Sequence, residues 1–539
     1  MTLAIMVIIF LAFLLSSIMK EEVKNSIVST LVGLISSFYF NAKPSKQGDL
    51  VICKELKTLR KVIIPQKDRF LHTLILGPTG SGKTSQALLP FINQDLQNSQ
   101  CGITVIDPKG DLAEKVYALS QMYGRKCLLF NPEYPNCPTF NPLYGNDEDT
   151  IIENMVLCFR MILHQSPDFF IDNVETLLRN SIKLVKRTCG NHATLLLLER
   201  CINNTGGIGH QLISLLQEKN KNEKDIPKKH ENYDIISYFI NDYFNRKTET
   251  FKNCSSLRTQ LSRLNSNKLL RRIFNPEDGH NDIDFSEHLE SCNILAITTA
   301  QGILNQTLSR LLGYFIILNF QSAVFKRKGD ENSRKPHFLY IDEFQEYANP
   351  SFGIMLTQGR SYRVASHLAT QNRQLIAGNS SRDGQIFLDL VSANCRNIIL
   401  FPDLPPDDCL YYSHMFGQKK VVRKTISRSK GAGSIGYTGF SDSQSEGIEP
   451  LIAPTEISQR KFGQITFKIV QNNTAQKAGH GKVNFLPSDI NQKADIIVKQ
   501  NRLLMLNSIN PTQYRDTLGN LTKPIKQILS ERRGQNNDK

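Results

Sequence analysis

Tryptophan is absent from this 539-residue chain, and so is any C-x-x-C pair or Cys/His cluster at zinc spacing. The second absence excludes the common structural zinc modules. The eleven cysteines are odd in number, scattered and mostly flanked by apolar residues. That pattern points to reduced core side chains in a cytosolic domain and away from a disulfide framework. Long apolar runs are scarce. Thr2–Met19 holds 18 residues without a charge, enough for a transmembrane helix. It has no basic n-region and no A-x-A-like cleavage site, which weighs against a secretory signal peptide. Acidic residues are in deficit, 50 against 65 basic, a net charge of +15 that favours a polyanionic partner such as nucleic acid or an anionic membrane. Between Arg179 and Arg272 stand 18 Lys/Arg and 8 Asp/Glu, so a net of +10 sits in under a fifth of the chain. The length exceeds one core and implies two or three domains.

A second stretch, Ser26–Phe40, is less apolar, and Ser29, Gly33 and Ser37 share one helical face at i+4 spacing. Such a seam of small residues suits close helix packing, which predicts a two-helix membrane hairpin joined by Lys20–Asn25. One span followed by an interfacial helix is the alternative. Basic residues from Lys43 to Arg69 place the bulk of the chain on the cytoplasmic side of an inner or plasma membrane.

The stretch Gly77-Pro78-Thr79-Gly80-Ser81-Gly82-Lys83-Thr84 fits G-x-x-x-x-G-K-[ST], between an apolar run at Leu71–Leu76 and a helical pattern from Ser85 to Leu96. Strand, glycine loop and helix form the context in which backbone N–H groups and a helix N-terminus cradle phosphates. The expected ligands are ATP and Mg²⁺, with Lys83 on the β/γ-phosphates and the Thr84 hydroxyl on the metal. Downstream, Ile103–Ile106 reads as a buried strand ending at Asp107, followed by Pro108-Lys109-Gly110-Asp111. Asp107 and Lys109 stand where α/β sheets place ligands, although such a turn is also ordinary loop chemistry.

Strand signals stop between about Asp168 and His288. Helical periodicity is carried by Val174–Val185, Ala193–Cys201, Ile208–Leu216, Tyr233–Phe244 and Leu257–Phe274, with Lys219–His230 read as a polar loop. This insertion carries the positive surplus. Its interleaved Tyr238, Phe239, Tyr243, Phe244 and Phe251 suit either nucleic-acid contact or a solvated charged face. The α/β pattern resumes with a strand at Asn293–Thr298 and a helix at Leu304–Phe325. The run His337–Ile341 then ends in Asp342-Glu343; beside a P-loop, Asp342 would hold Mg²⁺ through water and Glu343 would polarise the attacking water, although an acidic pair there could also be a helix N-cap. Strands at Val364–Thr370, Asn397–Phe401 and Gln464–Val470 complete the sheet. Gln371 at a strand end suits γ-phosphate sensing, and Arg360 suits action on a neighbouring subunit's nucleotide. Gln418–Lys430, with six Lys/Arg and no acid, leads into a Gly/Ser-rich run and reads as a mobile loop, either a plain linker or a contact for DNA or a partner.

The combination of anchor, P-loop, helical insertion and distant Asp-Glu strand resembles the TraG/TraD group of type IV coupling proteins, from about Leu71 to Phe467. These are the conjugative DNA-transfer ATPases of type IV secretion systems. Asp107-Pro108-Lys109-Gly110-Asp111 looks like the family's D-P-K-G-E element, with Asp in the last place. Ile341-Asp342-Glu343-Phe344 looks like its Walker B, Arg360 stands where its arginine finger is expected, and Gln371 matches its γ-phosphate-reading glutamine. Asp407 or Asp408 through Gly417, and Pro450–Ile457, also look like family elements. One departure is the six-residue link Lys20–Asn25, where many members carry a sizeable extracytoplasmic domain. A single-membrane envelope or a reduced element would explain it.

The resemblance implies an α/β, RecA-like P-loop core at 43–167 and 289–470, an all-α insertion at 168–288, a membrane anchor at 1–42 and a polar tail at 471–539. It further implies a homo-hexamer at the membrane, single-stranded DNA bearing a relaxase as substrate, and secretion-channel components as partners. An FtsK/HerA-like double-stranded DNA pump, or a nucleotide-gated docking receptor for the relaxase complex, would use the same phosphate site.

Overall fold

The strands form where short β-branched and aromatic runs predict them, and also at edges where the sequence gives little signal. The computed structural model describes residues 47–163, 168–245, 247–277, 279–378, 382–429 and 439–507. The expected membrane hairpin at 1–42 lies outside the described residues. Among those described, Gln301–Phe325 is long and apolar enough to cross a membrane, but most of it is buried in protein as a core helix.

In chain order the strands are β1 (Leu50–Glu55), β2 (Lys61–Ile64), β3 (Thr73–Leu76), β4 (Gly102–Asp107), β5 (Cys127–Phe130), β6 (Ile294–Thr298), β7 (His337–Ile341) and β8 (Val364–Thr370). They continue with β9 (Asn397–Leu400), β10 (Gln418–Ser429), β11 (Gly439–Pro450), β12 (Gln464–Lys468), β13 (Val470–Gln471), β14 (Thr474–Ala475) and β15 (Gly479–Lys482). The chain divides into two compact units. One holds residues up to Asn98 with His367–Ile376 and Ser392–Leu486; the other holds Ser99–Ser366, Ala377–Val391 and the chain from Pro487 on.

In the first unit the strand order is β2-β1-β15-β12-β9-β3-β8. The pairs from β2 to β9 are antiparallel, whereas β3 is parallel to both β9 and β8. Every residue of β3 and β9 is buried, as a strand covered on both faces requires. The second unit has the order β7-β4-β6-β5, all parallel. Its strands β4, β6 and β7 are buried at every position, so they read as continuous apolar runs without alternation.

Between β5 and β6 the described residues form helices and no strand. Several starts are capped as the sequence dictates. Thr194, Asp225, Asn267 and Asp284 each accept a hydrogen bond from a first-turn backbone N–H, worth about 1 kcal/mol apiece. The Asp225 cap explains one difference from expectation: the helices Ile208–Lys221 and Ile226–Ser237 take both ends of Lys219–His230, so only residues 222–225 are connecting chain. A second difference concerns the aromatics. Phe239 and Tyr243 are fully buried, packed against each other and against Phe244, and serve as core.

Gln418–Ser429 is likewise no loop. It is β10, paired with β11 in unbroken register from Gln418↔Pro450 to Ser429↔Gly439. A two-stranded ribbon pairs the facing half of its backbone groups and leaves the other half to solvent, so it needs no apolar run and a reading based on charge overlooks it. The strands β1, β2 and β15, with β2 at the sheet edge, have no counterpart in the sequence reading. They are short, carry lysines, and are joined by pairs such as Lys54↔Lys482, far apart in sequence. All eleven cysteines are free and nine are buried, as expected.

Candidate active site

In the first unit, β3 delivers Gly77 into the phosphate loop. The Gly77 N–H donates to the carbonyl of Thr370 at 3.2 Å, and Leu76 pairs with Thr370 in parallel register. Gln371, the next residue of that strand, therefore lies at the same end of adjacent strands as the start of the loop. A Cβ at Gly77 would come within 2.5 Å of Ser81 Oγ and 2.6 Å of Phe401 Cβ, so only glycine fits. Gly82 turns the chain at φ +97°, with the Gln86 amide packed against it. Thr84 opens a π-helical turn, Thr84–Leu88, that continues as the helix Leu89–Leu96. Lys83 is buried, its ammonium donating to the carbonyls of Gly77 at 2.6 Å and Pro78 at 3.3 Å.

The Ser81 hydroxyl and both polar atoms of the Gln86 amide are buried without a hydrogen-bond partner among the described residues. Such groups are costly unless something meets them, and the loop that presents them suits a phosphate. Nearby, the Asp408 carboxylate accepts from the Arg373 N–H at 3.0 Å and so anchors the short helix Arg373–Ala377 directly after Gln371. Partial burial pushes the Asp408 carboxyl up from its ordinary range. Gly417 ends the helix Pro406–Phe416 at φ 90°, ψ −169°, a conformation essentially reserved for glycine.

In the second unit, β4 and β7 run side by side and end together. Asp342 N donates to the Ile106 carbonyl at 2.9 Å, which places Asp107 and Asp342 next to each other at the strands' C-terminal ends. Asp107 is buried, and its carboxylate accepts from the N–H groups of Lys109, Gly110 and Leu112 at 2.8–2.9 Å. It thereby fixes the turn and the start of the helix Asp111–Met122. Burial, then the charge of Asp342, pushes its carboxyl up to about 6, against the pull of those N–H groups.

Glu343 follows in the left-handed region, at φ 47° and ψ 51°. A non-glycine residue there costs roughly 1–2 kcal/mol, and this kink carries the glutamate out of the strand direction. Its Oε2 accepts from Gln345 Nε2 at 2.6 Å, and Lys109 Nζ lies 3.6 Å from its Oε1. The turn therefore brings Asp107, Lys109, Asp342 and Glu343 into one cluster. Gln345 was missed in the sequence; an amide two residues after a catalytic-type glutamate is the signal that was available.

Arg360 is not part of that cluster. It precedes β8, where Arg363 receives the His337 N–H at the opposite end of β7 from Glu343, roughly 15 Å away at about 3.3 Å per residue. It is half exposed and pairs with Glu331 at 3.5 Å. Its own Glu343 is out of its reach.

The model of the family described as Type IV secretory system Conjugative DNA transfer matches residues 45–482. The chain belongs to this family. The match spans both units, including the phosphate loop and the Asp342-Glu343 turn, and agrees with the resemblance to type IV coupling proteins. No curated protein matches the sequence. Among solved structures, the unbound bacterial conjugative coupling protein TrwBdeltaN70 is similar at 16% identity and TM-score 0.59, covering 84% of this chain and 92% of that one. The plasmid coupling protein TrwB in complex with ADP and Mg²⁺ also gives 16% and 0.59, covering 86% and 94%. The same protein with the non-hydrolysable analogue ADPNP gives 16% and 0.57, covering 84% and 93%. These likenesses establish a shared α/β fold for this conjugative DNA-transfer family member.

Proposed function

We propose that the chain is a membrane-anchored ATPase that couples ATP hydrolysis to recruitment of DNA and its transfer into a secretion channel. The observation that carries this reading is the Glu343 turn: a strained glutamate held between Gln345 and Lys109, one residue after Asp342. Two donors hold that carboxylate in place, as a positioned general base requires. On the phosphate side, Lys83 and Thr84 grip the triphosphate, the Ser81 hydroxyl gains an acceptor, and Gln371 reads the γ-phosphate. Their assignment to the same nucleotide as Asp342 and Glu343 rests on the sequence motifs. The oxygen donors Thr84 and Asp342 fit Mg²⁺, which needs only one or two protein ligands beside phosphates. Bound there, the ion would neutralise charge on the β- and γ-phosphoryl oxygens. TrwB's complexes with ADPNP and with ADP and Mg²⁺ support this choice of ligands.

The finer parts of the proposal follow from family and sequence. Residues 1–42 anchor the chain in the inner or plasma membrane, 168–288 act as an all-α domain, and the bulk is cytoplasmic. A homo-hexamer is proposed because Arg360 lies far from its own Glu343 and would act on a neighbour's nucleotide, which a closed ring supplies at every interface. The substrate is single-stranded DNA carrying a relaxase. The test is ATPase activity of the detergent-solubilised full chain with single- and double-stranded DNA. Single-stranded DNA is expected to stimulate turnover, and Lys83→Ala to abolish both turnover and conjugative transfer while leaving the protein in the membrane. Stronger stimulation by double-stranded DNA would favour the FtsK/HerA-like pump, and normal transfer by Lys83→Ala would remove the motor.

A further inference from the structure

The positive surplus between Arg179 and Arg272 is unevenly neutralised. Arg179 pairs with Glu153 and Glu175, Lys183 with Glu231, and Arg187 with Glu148 and Glu231. Lys228 pairs with Glu223 and Lys252 with Glu249. Among the described residues, no carboxylate comes within ion-pairing distance of Arg200, Arg258, Arg263 or Arg271. Two carboxylates of this region are engaged by neutral donors: Glu199 accepts from Asn265 at 2.7 Å, and Asp242 from Thr250 at 2.5 Å. Arg258 and Arg263 share one helix of this region, and Arg200 and Arg271 lie close enough to each other to repel.

That part has a definite shape. The helix Ser255–Ser266 buries Leu257, Leu261 and Leu264 on one side. Its other side lines a shallow groove with Ser255, Arg258, Thr259, Ser262, Arg263 and Ser266. These positions follow helical spacing along roughly 16 Å of helix at 1.5 Å per residue; the Thr259 and Ser266 hydroxyls donate to the Ser255 and Arg263 carbonyls at 2.9 and 3.1 Å, so the row's donors toward a ligand are the two guanidinium groups with the Ser255 and Ser262 hydroxyls. At one end the Arg258 guanidinium lies 3.5 Å over the ring of Phe251, which is itself 37% exposed. Arg200, on the helix Leu195–Ile202 that packs against this one, feels the like charge of Arg271, which together with burial lowers its pKa.

We infer that the Ser255–Ser266 groove binds the sugar–phosphate backbone of single-stranded nucleic acid, with Arg258 and Arg263 on successive phosphates and the Phe251–Arg258 stack beneath a base. A row of donors suits a repeating anion; a single lipid headgroup or phosphorylated side chain would fill only one end. Guanidinium and hydroxyl donors bind phosphate without reading sequence, and an aromatic platform accepts any base. The inference rests on the DNA-transfer reading above and assigns one place where the substrate is held.

The test uses the full chain in detergent and a fluorescently labelled single-stranded oligonucleotide, titrated by anisotropy across a salt series. Arg258→Gln/Arg263→Gln is expected to bind about tenfold more weakly, with the slope of log K against log salt shallower by about 1.4, two phosphate contacts at roughly 0.7 each. Basal ATPase activity without DNA should be unchanged. Arg263→Glu with Ser262→Glu, at two exposed positions, repeats the test without touching the partly buried Arg258. Wild-type affinity and slope in both variants would overturn the groove while leaving the motor reading intact. Weakened binding to phosphatidylserine vesicles with oligonucleotide binding intact would assign the groove to lipid and overturn the inference. If the unmodified chain binds no oligonucleotide at any salt, the inference and the DNA-transfer reading fail together.

Discussion

Arg69 shows how much one side chain can decide. It is fully buried, donates to both oxygens of Asp95 at 2.6 Å and to the Gly48 carbonyl at 3.1 Å, and meets His367 Nε2 at 3.1 Å. A guanidinium only donates, so His367 Nε2 accepts and its proton sits on Nδ1. Burial, then the charges of Arg69 and His72, holds that imidazole well below its ordinary pKa. Beside it, Asp68 is buried and accepts from the N–H groups of Asn472 and Asn473 at 2.7 and 3.0 Å. The sequence shows Arg69 only as one more basic residue after a membrane segment. Arg69→Ala would strand the Asp95 carboxylate without its partner, and breaking a buried pair costs about 3–5 kcal/mol. Urea unfolding should show that loss; a change under 1 kcal/mol would mean that water replaces the guanidinium.

The elements were legible wherever their signal is local. β6, β7 and β8 fall where their apolar runs place them. What could not be read is how elements meet. Thr104 on β4 hydrogen-bonds at 2.9 Å to Nε2 of both His288, from the helix Phe285–Ser291, and His337, at the start of β7. One hydroxyl donates to one ring and accepts from the other, which fixes opposite tautomers on two neutral histidines. Burial pushes His288 down to about 4 from its ordinary 6.5. Burial, then the influence of His288 and Arg327, also holds His337 well below its ordinary value. Between those two values the unfolded chain takes up protons that the fold refuses, so stability present above about pH 6.5 is lost as pH falls toward 4. His288→Phe is expected to flatten this part of the pH dependence of Tm. A decline equal to wild type would place the acid sensitivity elsewhere.

For the whole molecule the decisive geometry is the distance between Arg360 and Glu343 along β7. An arginine at the far end of the strand cannot reach its own Glu343, so under the proposed function activity would be a property of the assembly. Arg360→Ala should keep nucleotide binding and lose hydrolysis, and Glu343→Ala should do the same. In mixed assemblies an intact Glu343 would meet an intact Arg360 at some interfaces, and part of the ATPase rate should return. A mixture as inactive as either parent would remove the shared site and leave Arg360 as the partner of Glu331.

The sequence by itself determined the phosphate loop, the Asp342-Glu343 strand end, the parallel core strands and the family. Each is encoded by neighbours in the chain: glycines where a loop wraps an anion, apolar runs where a strand is covered on both faces. Tertiary structure alone decided which charges are neutralised and which remain. Arg187 and Arg258 look alike in the sequence, yet one lies between two glutamates and the other stacks on Phe251 above a groove of hydroxyls. Ion pairing depends on distances of a few ångströms between residues remote in the chain. Counting charges gave the sign of the surplus; only packing gave its address.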